Sequence, residues 1–366
     1  MEVYRLRESA ADIEWPDIVS AKQLVDDKTI LPPPEIIAGV LHKGCMMMLS
    51  GSPKTNKTFC LLDLALSVAA GERWWEINTS QGNVLYVDLE LKPAFLRSRL
   101  KAISEKKAAD AAFAGQTHHI DHARVQTMKT LYDNALGNID ILALKGTITG
   151  YNALTEKLIS LGKEKAYNLI IIDPLYKLNA NGEENEAGNI TKVTNALEQL
   201  ATKADAAVVY AHHFSKGNQA GKESIDRASG SGVFARAPDA IVTVTRHDNN
   251  DDTYSVEFNL RNCSRKEPFV VEWKFPMMVP NRDLNPSDLK RPGKKTETCT
   301  PEMLLGELGE DELTPKEWEK RVCEDKKLMK PRTFYVKFAK LKAEDPCRIV
   351  QTMAGKWKRS EECKNQ

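Results

Sequence analysis

Six short apolar runs punctuate the first two thirds of the chain: Cys45–Ser50, Asn83–Asp88, Asn138–Leu144, Asn168–Asp173, Ala206–Ala211 and Ala240–Thr245. Some are apolar without interruption, as in Leu169–Ile172 and Ala207–Tyr210, the pattern of strands covered on both faces. Helical periodicity fills the gaps, most clearly at Thr58–Ala70 and Ile190–Lys203. Strand and helix in repeated alternation predict an α/β domain with a mostly parallel sheet flanked by helices. Two later runs, Tyr254–Leu260 and Phe269–Phe275, include polar–apolar alternation, as in Tyr254-Ser255-Val256-Glu257-Phe258. They predict a half-exposed antiparallel extension at one edge of the sheet.

The punctuation divides the chain. Residues 1–30 form a polar arm ending near Pro32-Pro33-Pro34, which can continue neither a helix nor a central strand. The α/β domain is expected over 31–280, with a mobile loop at Asn179–Gly188. A linker rich in Pro, Asn, Asp, Lys and Gly follows over 281–300, then a small, mainly helical domain over 301–366. At 366 residues, 42% apolar and 28% charged, the chain can bury full cores and is not disordered as a whole. Its 52 basic and 51 acidic side chains exclude a globally basic nucleic-acid coat and a globally acidic chain. No apolar run approaches the roughly 18 to 20 residues of a membrane span, and Met1–Glu14 shows no leader, so a cytoplasmic protein is expected. Seven cysteines without a CxxC pair read as reduced thiols, which argues against a disulfide or zinc framework.

The strongest chemical signal follows the first run. Met46–Ser50 leads into Gly51-Ser52-Pro53-Lys54-Thr55-Asn56-Lys57-Thr58, and a helix begins with Phe59. Strand, turn and helix start in this order let successive backbone amides curl round an anion, with the helix dipole adding to the attraction. Residues 51–59 are therefore the candidate ATP-phosphate site, with Lys57 on the β and γ phosphates and the Thr58 hydroxyl on Mg²⁺. Asn56 stands where this loop usually has its second glycine; asparagine is the residue that best tolerates a left-handed backbone there.

Other strand ends supply partners. Asn168–Asp173 runs through four apolar residues to a carboxylate, and Asp173 is the candidate second holder of Mg²⁺. Val84–Glu90 ends in Asp88 and Glu90; Glu90 is favoured as the general base that orients the attacking water, with Asp88 its competitor. Val208–His213 ends in two imidazoles, and His213 is the candidate γ-phosphate sensor; a metal site there lacks a third ligand by spacing.

The set Lys57, Thr58, Glu90, Asp173 and His213 resembles the RecA-like ATPase core, and in particular the RepA-like replicative helicases of the DnaB-type superfamily. A loop with Gly51, Lys54, Lys57 and Thr58 is familiar in that branch, and the resemblance covers about residues 30–280. It implies ATP and Mg²⁺ as cofactors and a homo-oligomeric ring, with a hexamer favoured. It also implies an arginine donated to each neighbour's site: Arg227, within Asp226–Gly232, as first candidate and Arg261, within Leu260-Arg261-Asn262, as second. Phe214–Ser229, with Lys216, Lys222 and Arg227 among glycines, resembles a central-channel loop that grips single-stranded DNA. The function implied is a replicative DNA helicase; the alternatives are an ATP-dependent DNA-binding regulator or mobile-element accessory protein switched by nucleotide, and an ATPase unconnected with DNA.

In the last 60 or so residues, Leu313-Thr314-Pro315-Lys316-Glu317-Trp318 carries a capping box. A second helix is expected from about Pro331 and a wing strand at Cys347–Gln351. Lys326, Lys327, Lys330, Arg332, Lys337, Lys340 and Lys342 form a basic run without an acidic residue, extended by Arg348, Lys356, Lys358 and Arg359. This looks like a winged-helix DNA-binding module. In His118–His122, His118 and His122 share a helical face but lack a third ligand at metal spacing, Trp74-Trp75 is expected to pack the end of the first helix, and Arg246–Asp252 is a hairpin turn without the ligand spacing of a calcium loop.

Overall fold

The computed structural model describes residues 17–113, 121–147, 150–178, 187–214, 224–228, 236–250, 252–290, 301–326, 328–329, 331–343 and 348–360. The chain divides into two compact units, Met1–Leu289 and Lys290–Gln366.

In the first unit, helix α1 (Ala21–Asp26) precedes a small ladder of β1 (Glu35–Ile37) and β2 (Leu41–His42). The main elements follow in chain order: β3 (Met46–Gly51), α2 (Lys57–Ala70), β4 (Val84–Asp88), α3 (Pro93–Phe113), α4 (His122–Gly137), β5 (Ile139–Ala143), α5 (Tyr151–Lys165), β6 (Leu169–Asp173), a 3₁₀ turn (Leu175–Leu178), α6 (Ala187–Lys203), β7 (Ala207–His213), α7 (Ser224–Ala228), β8 (Ala240–Arg246), β9 (Thr253–Leu260), β10 (Phe269–Lys274) and β11 (Met277–Asn281). One sheet of nine strands runs β11-β10-β9-β8-β3-β7-β6-β4-β5. The six strands from β8 to β5 are mutually parallel, and β9 to β11 extend the sheet antiparallel. Each of the eight expected runs is a strand within a residue or two of its expected ends.

Strand alternation sorts the sheet's side chains into two cores. Leu49, Tyr86, Ile171, Val209 and Val242 pack with α2, α3 and α4 on one face, while Met48, Val87, Ile172, Tyr210 and Ile241 pack with α5 and α6 on the other. Helix α2 is buried almost all round, from Cys60 to Ala70. Its polar residues are met from α3, where the Lys107 ammonium donates to Asp63 Oδ1 (2.7 Å) and Ser67 Oγ (2.8 Å). Trp74 and Trp75 are buried and stacked 4.1 Å apart beyond the end of α2, the packing role expected of them. The phosphate-loop strand β3 lies between β7 and β8, with β6, β4 and β5 beyond β7, which is the strand order of a RecA-like core. Chain-sequential strands diverge on either side of β3, so a crevice opens at its carboxyl end.

Two boundaries differ from expectation. Residues 281–289 belong to the first unit and not to a linker: Asn281 closes β11, the Asn285 carbonyl meets His247 Nε2 at 2.9 Å, and the Asp288 carbonyl accepts from the Asp248 amide. The β8–β9 hairpin turn thus docks on a segment whose composition reads as loop. The other difference is the β1–β2 ladder, too short to carry a periodic signal.

In the second unit, α8 (Pro301–Leu308), α9 (Pro315–Glu319, continued by a π-helical turn to Asp325) and α10 (Pro331–Ala343) precede a hairpin of β12 (Ile349–Gln351) and β13 (Trp357–Arg359). The expected capping box is present: Thr314 Oγ1 accepts from the Glu317 amide, and the Glu317 carboxylate accepts from the Thr314 amide. Trp318 packs edge-on to Phe334 and Phe338 with Leu304, Leu308 and Val322. Part of the basic run is used internally. Lys337 is buried, Lys342 lies over Phe338 and Trp357, Lys326 pairs with Glu307, and Arg359 Nε donates to the Leu305 carbonyl. Lys327 and Lys330 lie outside the described residues.

Candidate functional site

The candidate site is built round the turn 52–56. A Cβ on Gly51 would lie 2.9 Å from both the Val244 carbonyl of β8 and Thr55 Oγ1, so only glycine lets strand and turn close this tightly. Lys54 and Asn56 adopt left-handed backbone, with φ of 63° and 54°, and Asn56 is the N-cap of α2. Asparagine thus holds the conformation for which the loop ordinarily uses glycine. The turn is braced from within: Thr55 Oγ1 donates to the Ser52 carbonyl (2.8 Å), and Lys57 Nζ donates to the carbonyls of Gly51 (2.9 Å) and Ser52 (2.8 Å). Lys57 is buried, and burial lowers its pKa from 10.5 to about 8 against the opposing charges of Asp173 and Glu90. Both carboxylates therefore act on the ammonium.

Asp173 ends β6 in register with Asp88 of β4, on the α2 face of the sheet. Tyr86 Oη donates to Asp173 Oδ2 (2.8 Å), and the Thr58 hydroxyl hydrogen-bonds the same carboxylate. Burial raises the Asp173 pKa; the bonds from Thr58 and Tyr86 oppose the shift, Asp88 adds to it, and Lys57 opposes it. Asp88 Oδ1 accepts from the amides of Glu90 (3.0 Å) and Leu91 (2.9 Å), a turn that ends β4, while its Oδ2 is buried without a protein partner. That geometry commits Asp88 to shaping the turn and leaves Glu90 as the exposed carboxylate beside Lys57 and His213. The donors near Thr58 are carboxylate and hydroxyl oxygens, including a buried one in need of a partner, which suits a hard cation such as Mg²⁺.

His213 ends β7 beside Gly51, and the next amide, Phe214 N, donates to the Gly51 carbonyl (3.2 Å). Burial and then Lys57 lower the His213 pKa, while Glu90 and the Gly51 backbone oppose that shift. Tyr176 of the 3₁₀ turn lies against its ring, 5.3 Å away. Alternation sends His212 to the opposite face, where burial, His213 and Lys57 lower its pKa to about 4. The two imidazoles do not share a metal site, and both are neutral at physiological pH.

The structure therefore brings Lys57, Thr58, Glu90, Asp173 and His213 together at the carboxyl ends of the parallel strands. It does not bring the two arginines there. Arg227 is buried, paired with Glu257 and 3.4 Å from Thr245 Oγ1, on the face away from α2. Burial against a carboxylate of its own chain engages the guanidinium internally, at odds with the first rank that the resemblance of Asp226–Gly232 gives it. Arg261 follows β9 at the amino end of the parallel strands, half exposed, with Nη1 3.6 Å from Asp239 Oδ1. Of the expected channel loop, Phe214 and Ser224–Ala228 are described and 215–223 lie outside the described residues, as do His118 and His119.

An aromatic group beside the phosphate turn has no counterpart among the sequence expectations. Phe59, in the first turn of α2, packs edge-on to Trp273 (5.0 Å) and Phe275 (5.9 Å), and the Arg99 guanidinium lies 4.5 Å over its ring. Phe275, at the β10–β11 turn, is 69% exposed. The triplet Trp273-Lys274-Phe275 before Pro276 is its sequence signal, legible only once the hairpin is known to return beside α2. Tyr86 was likewise hidden, as one aromatic in an apolar run.

Two of the solved structures to which the chain is similar are these. One is an ATPase domain, 15% identical with a TM-score of 0.47, covering 65% of this chain and 85% of that one. The KaiC-like protein PH0186 from the hyperthermophilic archaeon Pyrococcus horikoshii OT3 is 14% identical with a TM-score of 0.45, covering 67% and 93%. No curated protein matches. Among the described residues no helix is long and apolar enough to cross a membrane. The strand order, the braced phosphate turn and the carboxylates beside it are those of a RecA-like P-loop ATPase, and the profile of the AAA domain family (AAA_25) matches residues 15–219, more than half of the sequence; the chain belongs to that family.

Proposed function

We propose that this ATPase is a DNA motor of the RepA-like replicative helicase kind, hydrolysing ATP to move along single-stranded DNA. The observation that carries the reading is the convergence of Lys57, Thr58, Glu90, Asp173 and His213 on one phosphate turn. The amides of 52–58 and the Lys57 ammonium bind the phosphates, and Thr58 with Asp173 would hold Mg²⁺, which would supply neutralisation of phosphate charge. Glu90, exposed and close to Lys57, orients the attacking water and takes its proton. His213, neutral and joined to the turn through Gly51, donates a hydrogen bond to the γ-phosphate and reports its loss to the chain beyond Phe214. Phe275, exposed and packed edge-on to Phe59, offers its open face to the adenine.

Assembly into a ring is supported by the N-terminal arm, where Ile18, Leu24, Val25 and Ile30 are all more than half exposed, so a second copy is a natural cover. In such a ring Arg261 serves a neighbour's site, since it lies at the opposite end of the sheet from its own phosphate turn. DNA contact is supported by exposed Lys316, Lys320 and Lys342 and half-buried Lys356 and Lys358 on the helix-and-hairpin second unit, read as a winged-helix module.

The test is the ATPase rate of the full chain with and without single-stranded DNA, together with strand displacement and solution mass in nucleotide. A motor turns over faster on DNA, displaces a strand and loses both with Lys57→Ala. Tight ATP binding with a change of mass but no DNA-stimulated turnover would overturn it in favour of a nucleotide-switched DNA-binding regulator.

A further inference from the structure

The β1–β2 ladder lies at the amino end of the parallel strands, away from the nucleotide turn, and carries chemistry that the ATPase reading does not use. Glu35 and His42 are paired across the ladder, with Glu35 Oε1 3.7 Å from His42 Nε2. From the connection after β9, the Cys263 thiol reaches His42 Nδ1 at 3.9 Å. Those two distances are to different nitrogens of the ring, and with a single ring nitrogen taken as the ligand atom it, one carboxylate oxygen and the sulfur all lie within 4.8 Å of one another. We propose that Glu35, His42 and Cys263 bind a divalent transition-metal ion of the zinc class.

The donor set is the argument. A thiolate, an imidazole and a carboxylate are each an ordinary zinc ligand, and together with one water they complete a tetrahedron. Bonds of about 2.3 Å to sulfur and about 2.0–2.2 Å to nitrogen and oxygen place such ligands about 3.3–3.7 Å apart. The present separations therefore close with movements of about 1 Å, which the exposed Glu35 and half-buried His42 and Cys263 side chains can make. The carboxylate is already aimed: Glu35 Oε1 accepts from the Gly39 amide (3.1 Å), the kind of outer bond that orients a ligand. Cys45 is near but otherwise engaged, with its thiol against Asp239.

Filled, the site pins the β1–β2 ladder to the connection that begins at Arg261. The test is a cobalt titration of the full chain, followed by thiolate-to-cobalt charge-transfer absorption, then by displacement with zinc. The expected result is one equivalent of Co²⁺ with a charge-transfer band that zinc abolishes, lost in Cys263→Ser and His42→Ala but kept in Cys45→Ser. Circular dichroism and ATP binding check that each variant is folded. Absence of the band at one equivalent, its survival in folded Cys263→Ser, or its loss in folded Cys45→Ser would overturn the assignment. None of these readouts depends on ATP turnover.

Discussion

The lowered pKa of Lys57 makes nucleotide binding a proton-linked event with a predictable sign. In the turn the ammonium is buried and its pKa stands at about 8. A triphosphate beside it favours the charged form and restores the pKa toward 10.5 or beyond, so between these values binding takes up a proton. A lysine of pKa 8 is about nine-tenths protonated at pH 7 and about one-tenth at pH 9, so the dissociation constant for Mg-ATP rises roughly tenfold over that span. Stability of the empty protein moves the other way. The unfolded chain holds this proton up to 10.5 and the folded chain only to about 8, so burying Lys57 costs stability fully below pH 8 and progressively less above it.

Calorimetry at pH 7, 8 and 9, in buffers of different ionisation heat, measures affinity and proton uptake together. Lys57→Arg is the control, because a guanidinium does not titrate in this range and its affinity stays flat. Affinity independent of pH in the parent protein, or the same proton uptake in Lys57→Arg, would refute the reasoning.

Three further outcomes are expected. Glu90→Gln lowers kcat about 10²- to 10⁴-fold while ATP affinity is retained, as equilibrium binding beside single-turnover rates will measure; parental turnover would show that another group activates water. Phe275→Ala, at an exposed position, weakens ATP by about 1–3 kcal/mol of lost stacking but leaves the inhibition constant of inorganic triphosphate unchanged, and equal losses for both ligands would remove the base platform. Lys107→Met strands the buried Asp63 carboxylate and costs about 3–5 kcal/mol in urea unfolding, most of it recovered when Asp63→Leu is added.

What the chain reveals without its coordinates follows from where signals are local. The parallel strands were legible because burial on both faces makes each a continuous apolar run, and the phosphate turn because strand, glycine, lysine and helix are contiguous. Asp173 and His213 were legible as polar residues closing such runs. Asp88 and Glu90 stood close together, and only the turn hydrogen bonds from Asp88 Oδ1 separate their roles. What stayed hidden joins distant segments. Phe275 reaches Phe59, His42 reaches Cys263, and the loop-like 285–288 covers His247, each through a pairing that periodicity does not encode. Arg227 shows the converse: the resemblance of Asp226–Gly232 ranked it first, but Glu257 of β9 pairs with it in the interior.

The bracing of the turn bears on how the site works. The carbonyls of Gly51 and Ser52 accept from Lys57, and Gly51 also accepts from the Phe214 amide. Lys57 thus satisfies its charge on the loop's own backbone and keeps 52–56 in the shape a triphosphate needs, which lowers the ordering cost of binding. When phosphate oxygens take over the ammonium, those bonds are exchanged rather than simply gained, and Gly51 keeps the link to β7. A truncation at Lys57 therefore removes a cation and also a brace. Arginine at the same position keeps the charge but, with a rigid planar fork, cannot reproduce the two short bonds of a compact ammonium. If the brace matters, Lys57→Arg binds ATP less tightly than the parent at pH 7, where both cations are charged, and the amides of residues 52–56 exchange hydrogen faster in its empty form. Equal protection of the turn in both proteins would mean that the left-handed residues Lys54 and Asn56 hold the loop alone.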